Sequence, residues 1–249
     1  MIIFVCYATA GCIEKDNNLE KINDSRNEIS TNRDSEHTKP IVKEIKIDTL
    51  EKKLLDAGLV NIQTLDNSIL VDLKYSTTDN FMNRDVYGGL NNAYLQKEVA
   101  ESLIECQVFL KNIDSSLTLL VYDAVRPRSV QQYMWDYLDL PINEKIKFVS
   151  NPKNGSVHNY GAAVDLTIAH SNGVALDMGA GYDDIRQIAY PKLESKFLGT
   201  GELTKTQLKN RQLLRKIMKH GHFSNIPTEW WHFNRYSRAE SKTRFSIVE

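Results

Sequence analysis

Two short stretches carry residues whose types and spacing could do chemistry. The first is Ser156-Val157-His158-Asn159-Tyr160-Gly161-Ala162-Ala163-Val164-Asp165. An imidazole and a carboxylate stand seven apart in it, with Gly161 between them to turn the chain, so both side chains could reach one point. A carboxylate inside the alternating apolar run that follows is costly unless it is paired or bound to a cation. These ten residues also fit a loop histidine and a strand-end aspartate bonded to backbone. The second stretch is Pro227-Thr228-Glu229-Trp230-Trp231-His232-Phe233. A zinc site that hydrolyses an amide needs three protein ligands, one open position and a base for the water's proton. His158, Asp165 and His232 supply the ligands, and Glu229, three residues before His232, supplies the base. An aromatic core segment with a satisfied histidine is the plainer reading of this second stretch. Economy weighs against it, because the chain has only six histidines and two fall in these two motifs. On a regular strand Glu229 and His232 would face opposite sides, so a turn or bulge must lie between them.

Taken together, the two stretches resemble the zinc D-alanyl-D-alanine dipeptidases of the vancomycin-resistance type and their D,D-carboxypeptidase relatives. Ser156, His158, Gly161, Ala163 and Asp165 fill that family's S-x-H-x-x-G-x-A-x-D pattern, and Glu229 and His232 its E-x-x-H. Leu73 to Phe81 is similar to the family's Y-x-T-x-D-N-F segment, Asp123 to Pro127 to its D-x-x-R-P, and Asp177-Met178-Gly179 to its M-G turn. The likeness runs in order from about Ile62 to Arg235. It implies one zinc ion per chain on His158, Asp165 and His232, with Glu229 as general base. It implies Arg126 as a guanidinium stabilising an oxyanion, and Ser156 and Asp123 as substrate contacts. The implied substrate is a small D,D-dipeptide cleaved to two D-alanines. The implied fold is α+β, helices packed around a central, mainly antiparallel sheet that carries the zinc site. A D,D- or L,D-carboxypeptidase trimming cell-wall stem peptides is the alternative within the superfamily. A non-catalytic zinc module would lack the base, and Glu229 is present.

The elements that must position these residues are partly legible. Residues 1–12 read as a lipoprotein leader, with Ala10-Gly11 before a Cys12 that would carry lipid. The pattern departs from the usual one in lacking a basic start and in placing Thr9 where leucine is common. A short buried strand is the other reading. Such a segment is set aside from fold reasoning. Residues 13–46 are polar and charged with no apolar period, which cannot offset the entropy of ordering, and read as a flexible tether that makes His37 no ligand. The catalytic domain then spans 47–249. Lipid on Cys12 would place the enzyme at the cell envelope, whereas the vancomycin-resistance dipeptidases suggest the cytoplasm.

Within 47–249 the pattern predicts a helix over Thr49 to Ala57 stopped by Gly58, and a strand over Ile69 to Leu73. A helix is predicted over Ala93 to Lys111, its face formed by Leu95, Val99, Leu103, Cys106 and Leu110. A buried strand from Leu117 to Tyr122 delivers Asp123 and Arg126, and a helix from Ser129 to Leu138 turns Trp135 inward. Leu176 to Gly181 reads as a turn. Thr204 to Gln207 matches a capping box for a helix carrying Leu208, Leu213, Ile217 and His220, with Gly221 as its C-terminal cap. Trp231 to Arg235 reads as the last strand. His170, His220 and His222 fit loop and helix-end positions rather than ligands. Lys plus Arg (31) nearly balance Asp plus Glu (32), so no global field favours nucleic acid or an anionic membrane. Three scattered cysteines make no disulfide framework.

Overall fold

The computed structural model describes residues 47–249; the leader and tether readings lie outside the described residues. The chain from there forms an α+β structure built on a five-stranded sheet of order β2-β4-β5-β7-β6. The strands are β2 (Leu70–Val71), β4 (Leu117–Asp123), β5 (Ala163–His170), β6 (Ser224–Asn225) and β7 (His232–Asn234). Every pairing is antiparallel except β2 with β4. A two-stranded ladder of β1 (Val60–Asn61) and β3 (Tyr94–Leu95) stands beside it. The expected mainly antiparallel sheet is therefore present. Among the described residues no helix is long and apolar enough to cross a membrane.

Two long helices cover one face of the sheet. Helix α2 (Lys97–Ile113) packs on β4, and α6 (Lys205–His220) packs on α2 and on β5. The expected face of α2 is buried throughout: Val99, Leu103, Cys106 and Leu110 all have 0% exposure. Burial of each large side chain among them stabilises by roughly 1.5–3 kcal/mol. Cys106 is one of these core residues, packed as a small apolar group with its thiol pushed up to about 12 by burial. The helix begins later than expected, because Tyr94 and Leu95 are drawn into the ladder with Val60 and Asn61. Helix α1 (Ile47–Asp56) ends as expected before Gly58, whose φ is +79°.

Three expectations for the helices differ in detail from the structure. The buried face of α6 is Arg211, Leu214, Ile217 and Met218; Leu208 and Leu213 are half-buried and His220 is exposed. The stripe is rotated because Arg211 takes an inward position that a hydrophobic pattern does not credit. Gly221 ends α6 at φ −84°, not in the left-handed region. It is glycine for closeness: a Cβ there would lie 2.3 Å from the Ser102 carbonyl oxygen and 2.4 Å from Cys106 Sγ. His222 takes the left-handed conformation instead, at φ 63°. In α3 (Arg128–Tyr137), Val130, Gln131 and Met134 point inward, while Trp135 is only half-buried; the short helices α4 (Ile142–Lys145) and α5 (Glu194–Thr200) lie between it and α6 in the chain. The capping box at Thr204 is present, with reciprocal bonds to Gln207 of 3.2 and 2.8 Å.

Strand periodicity sets the two faces of the central strand. Val164, Leu166 and Ile168 enter the main core under the helices, and Ala169 joins a small cluster with Leu120 and Tyr122 on the other face. Asp165 shares the alternate parity with Ala169. The β4 ladder carries a bulge between Val121 and Asp123, just where the sheet reaches the functional residues.

Candidate active site

Three adjacent strands place three polar residues in one row. Asp123 of β4 is the register partner of Asp165 of β5, and Asp165 is the partner of His232 of β7. His158 comes from outside the sheet, from a short helical turn over Val157–Tyr160. That turn is pinned at both ends. Asn159 accepts from the Ser156 N–H at 2.6 Å and donates to the Arg126 carbonyl at 2.7 Å and to Gln131 Oε1 at 2.9 Å. The Arg126 N–H in turn donates to the His158 carbonyl at 3.1 Å. The turn closes at Gly161, φ 63°, where a Cβ would stand 2.8 Å from Leu59 and 3.3 Å from the Gln96 backbone nitrogen. Only glycine meets both demands.

The row and the turn bring three ligand atoms together. His158 Nε2 lies 3.1 Å from His232 Nδ1 and 3.3 Å from Asp165 Oδ1, and His232 Nδ1 lies 2.9 Å from Asp165 Oδ1. In a tetrahedral zinc site with ligands at about 2.0–2.1 Å, neighbouring ligand atoms stand roughly 3.3 Å apart. The hydrogen-bond chemistry agrees with that fit. His158 Nδ1 faces the Ala124 carbonyl at 2.6 Å, so it carries the hydrogen and leaves Nε2 a bare lone pair. His232 Nε2 faces Asn234 Oδ1 at 2.9 Å, which leaves Nδ1 bare in the neutral ring. Three acceptors then converge with no donor among them, an arrangement that a cation completes. Without a cation the three groups are instead balanced by a proton. Burial opposes charge on Asp165, yet the two imidazoles outweigh it and hold its carboxyl well below the usual carboxylate range. Burial likewise opposes charge on His232, but Asp165 outweighs it and raises the imidazole to about 9. Among the described residues these three form the group able to hold a metal ion.

Glu229 stands at the edge of this triad, its Oε2 3.9 Å from His232 Nδ1. The turn that the sequence demanded between them exists: β6 ends at Asn225, β7 starts at His232, and Glu229 lies in the loop. Asn225 holds that loop by donating to the Glu229 and His232 carbonyls at 2.9 and 2.8 Å. The Glu229 side chain keeps 35% exposure toward the cavity. Burial of the rest raises its pKa, and repulsion from Asp165 adds to this against the pull of His232, His158 and Arg126. A carboxylate in such a place holds a proton more readily than one in water.

Arg126 forms the opposite wall. Its guanidinium donates to Asp123 Oδ2 through Nε at 3.1 Å and Nη2 at 2.6 Å, and Nη2 lies 4.0 Å from Asp165 Oδ2. The Tyr75 ring lies beneath it, 4.8 Å from ring centre to Cζ. Asp123, expected as a substrate contact, sits one layer behind instead. It has 0% exposure, is bonded by Tyr87 at 2.6 Å and by Arg126, and does not line the cavity. The carboxylate is satisfied by its neighbours, and what it does here is aim the guanidinium. Ser156 does line the cavity, and among the described residues its buried Oγ has no hydrogen-bond partner.

His158, Asp165, His232, Glu229, Arg126 and Ser156 all face one cavity of about 390 Å³. Sequence reasoning missed further residues at its wall and behind it. Asp183 is half-buried at φ 60°, a left-handed conformation that aspartate tolerates better than most side chains. Tyr75 Oη lies 3.1 Å from both of its carboxylate oxygens. Burial, then repulsion from Asp165, pushes its pKa well above the usual carboxylate range. Tyr182 donates to Asp165 Oδ2 at 3.1 Å. Tyr75 lies within a motif already singled out; Asp183 and Tyr182 lie in an irregular loop with no periodic signal to mark them.

An α+β sheet with a two-histidine, one-aspartate group, a nearby glutamate and a buried arginine at one cavity defines the class of a metallopeptidase. The comparisons name the family. The family model of peptidase M15, described as D-Ala-D-Ala dipeptidase, matches residues 55–248, and the chain belongs to that family. The D-alanyl-D-alanine dipeptidase of Escherichia coli (strain K12) is 31% identical over 175 residues, 70% of this chain and 83% of the relative. That of Enterococcus faecalis (strain ATCC 700802 / V583) is 27% identical over 209 residues, covering 78% and 99%. A third, from Synechocystis sp. (strain ATCC 27184 / PCC 6803 / Kazusa), is 27% identical over 177 residues, covering 60% and 72%.

Proposed function

We propose that this chain is a zinc-dependent D-alanyl-D-alanine dipeptidase, releasing two D-alanines from the dipeptide and so acting on a building block of cell-wall peptides. The observation that carries the reading is the convergence of three acceptor atoms beside Glu229 and Arg126 in one cavity. His158, Asp165 and His232 would hold the ion. Zinc in such a set supplies Lewis acidity, polarising a carbonyl and making water acidic near neutral pH.

The rest falls to the chain's own residues. Glu229 takes a proton from the attacking water and delivers it to the departing amine nitrogen, which leaves as the new amino terminus. Arg126, held on Asp123 and Tyr75, stabilises the charge that builds on the carbonyl oxygen in a site of low dielectric. The free Ser156 Oγ is left for a polar group of the substrate. The Asp183 carboxyl, whose ionised form an ammonium beside it would favour, receives the amino terminus of the dipeptide. Zinc content tests the ligand set: wild type binds one equivalent by elemental analysis, and His158→Ala loses both metal and activity. A full equivalent in that variant overturns the assignment.

Asp183 also favours a dipeptide over a stem peptide. The alternative carboxypeptidase would present an amide where the dipeptide presents an ammonium, and the amide offers the carboxylate one neutral N–H donor in place of a positive charge. Hydrolysis of D-Ala-D-Ala is accordingly expected to exceed that of its N-acetylated form by about 10–10²-fold in kcat/KM, since a hydrogen bond to a charged group is worth about 1.5–3 kcal/mol. Asp183→Asn should narrow the gap by raising KM for the free dipeptide. Equal rates on both substrates would favour the carboxypeptidase.

Placement at the cell envelope is a separate proposal. It is supported by Ala10-Gly11-Cys12 and the polar stretch that follows, which lie outside the described residues. Labelled palmitate is expected in the wild-type protein expressed in a bacterial host and not in Cys12→Ser. Equal labelling of the two, or none in either, counts against the lipid anchor.

A further inference from the structure

Each atom of the triad has a partner behind it, and the three partners differ in kind. His158 uses a backbone carbonyl, that of Ala124, which no side-chain change removes. The second oxygen of Asp165 accepts from the Tyr182 hydroxyl at 3.1 Å. His232 depends on a side chain of its own strand, Asn234 Oδ1, at 2.9 Å from Nε2. Residues two apart on a strand share a face, so the pair is a direct product of β7. The strand is held on both sides here: Asn234 is the register partner of Ala163 on β5 and of Ser224 on β6. The amide therefore stands on a rigid ladder, beside the ring and at the cavity wall.

We infer that Asn234 is a positioning residue for His232: it fixes the ring in the tautomer with hydrogen on Nε2, leaving Nδ1 free toward the metal position. An imidazole that can place its proton on either nitrogen spends part of its time in the wrong form, and a fixed acceptor on the far side removes that freedom. The inference rests on the reading of His232 as a zinc ligand and adds to it a residue that neither histidine spacing nor the E-x-x-H pattern points to. Its neutral amide also matters. A carboxylate in its place would accept the same hydrogen and make the ring more basic, whereas an alanine would offer nothing.

Zinc dissociation constants, measured by competition with a fluorescent chelator on the full chain, test this without reference to turnover. Asn234→Ala is expected to weaken zinc binding by about 10–100-fold, and Asn234→Asp to bind within a few-fold of wild type or more tightly. A purely structural Asn234 would lower the melting temperature of the metal-free protein and leave the zinc constant unmoved. Asn234→Ala with a wild-type constant therefore overturns the proposal, as does Asn234→Asp failing as badly as Asn234→Ala. His232→Ala is the control that separates the two readings. If it loses zinc while Asn234→Ala keeps it, only the role of Asn234 falls; if His232→Ala itself keeps wild-type affinity, the ligand assignment falls and the role of Asn234 with it.

Discussion

Glu229→Ala is expected to yield a folded, metal-loaded protein that turns over about 10²–10⁴-fold more slowly, the range a general acid–base group contributes. The expectation follows from where Glu229 sits. It is near the triad without belonging to it, 3.9 Å from His232 Nδ1, whereas the ligand atoms lie within 3.3 Å of one another. Removing it leaves all three ligands and their partners in place. It also leaves the loop intact, because Asn225 grips that loop through the backbone carbonyls of residues 229 and 232. The loss should therefore appear in kcat, with KM for D-Ala-D-Ala little changed. Zinc content, melting temperature and kcat on one preparation decide the matter. Near-normal kcat in a metal-replete, folded Glu229→Ala enzyme would contradict the mechanism, and a fall in zinc content would make Glu229 a ligand instead.

The second large effect is expected at Arg126. Loss of a preorganised donor to a developing oxyanion typically costs about 10²–10³ in kcat. Here the substitution does more than that, because Arg126 and Asp123 have side-chain exposures of only 8% and 1%. Among the described residues Arg126→Ala leaves the buried Asp123 carboxylate hydrogen-bonded by the Tyr87 side chain alone, and breaking one side of such a pair typically costs about 3–5 kcal/mol of stability. The two consequences separate in a double variant. Arg126→Ala with Asp123→Asn removes the orphaned charge, so melting temperature should largely recover while kcat stays low. If turnover recovers together with stability, Arg126 acts only through the fold and has no part in stabilising the transition state.

The sequence by itself singled out candidates that the structure gathers at one cavity. His158, Asp165, Glu229 and His232 were recoverable because metal ligands and bases come from few residue types, and dense spacing of those types is rare. It determined the main supports as well: the α2 face is periodic, and the Thr204 capping box is a purely local signal. Local sequence even required the break between Glu229 and His232, since strand geometry forbids the two side chains a common side. The tertiary structure alone decided how these pieces meet. Register between β4, β5 and β7 aligns Asp123, Asp165 and His232, and no single strand encodes its neighbour's register. That alignment put Asp123 behind Arg126 rather than against substrate. It also brought Asp183 and Tyr182 into the site from an irregular loop, and turned Arg211 inward on a helix whose hydrophobic pattern points elsewhere. Gly221 shows the same division on a small scale. A glycine at a helix end reads locally as a left-handed cap, but here the close approach of α2 requires it. Contacts between residues far apart in sequence depend on packing, which patterns of a few residues do not contain.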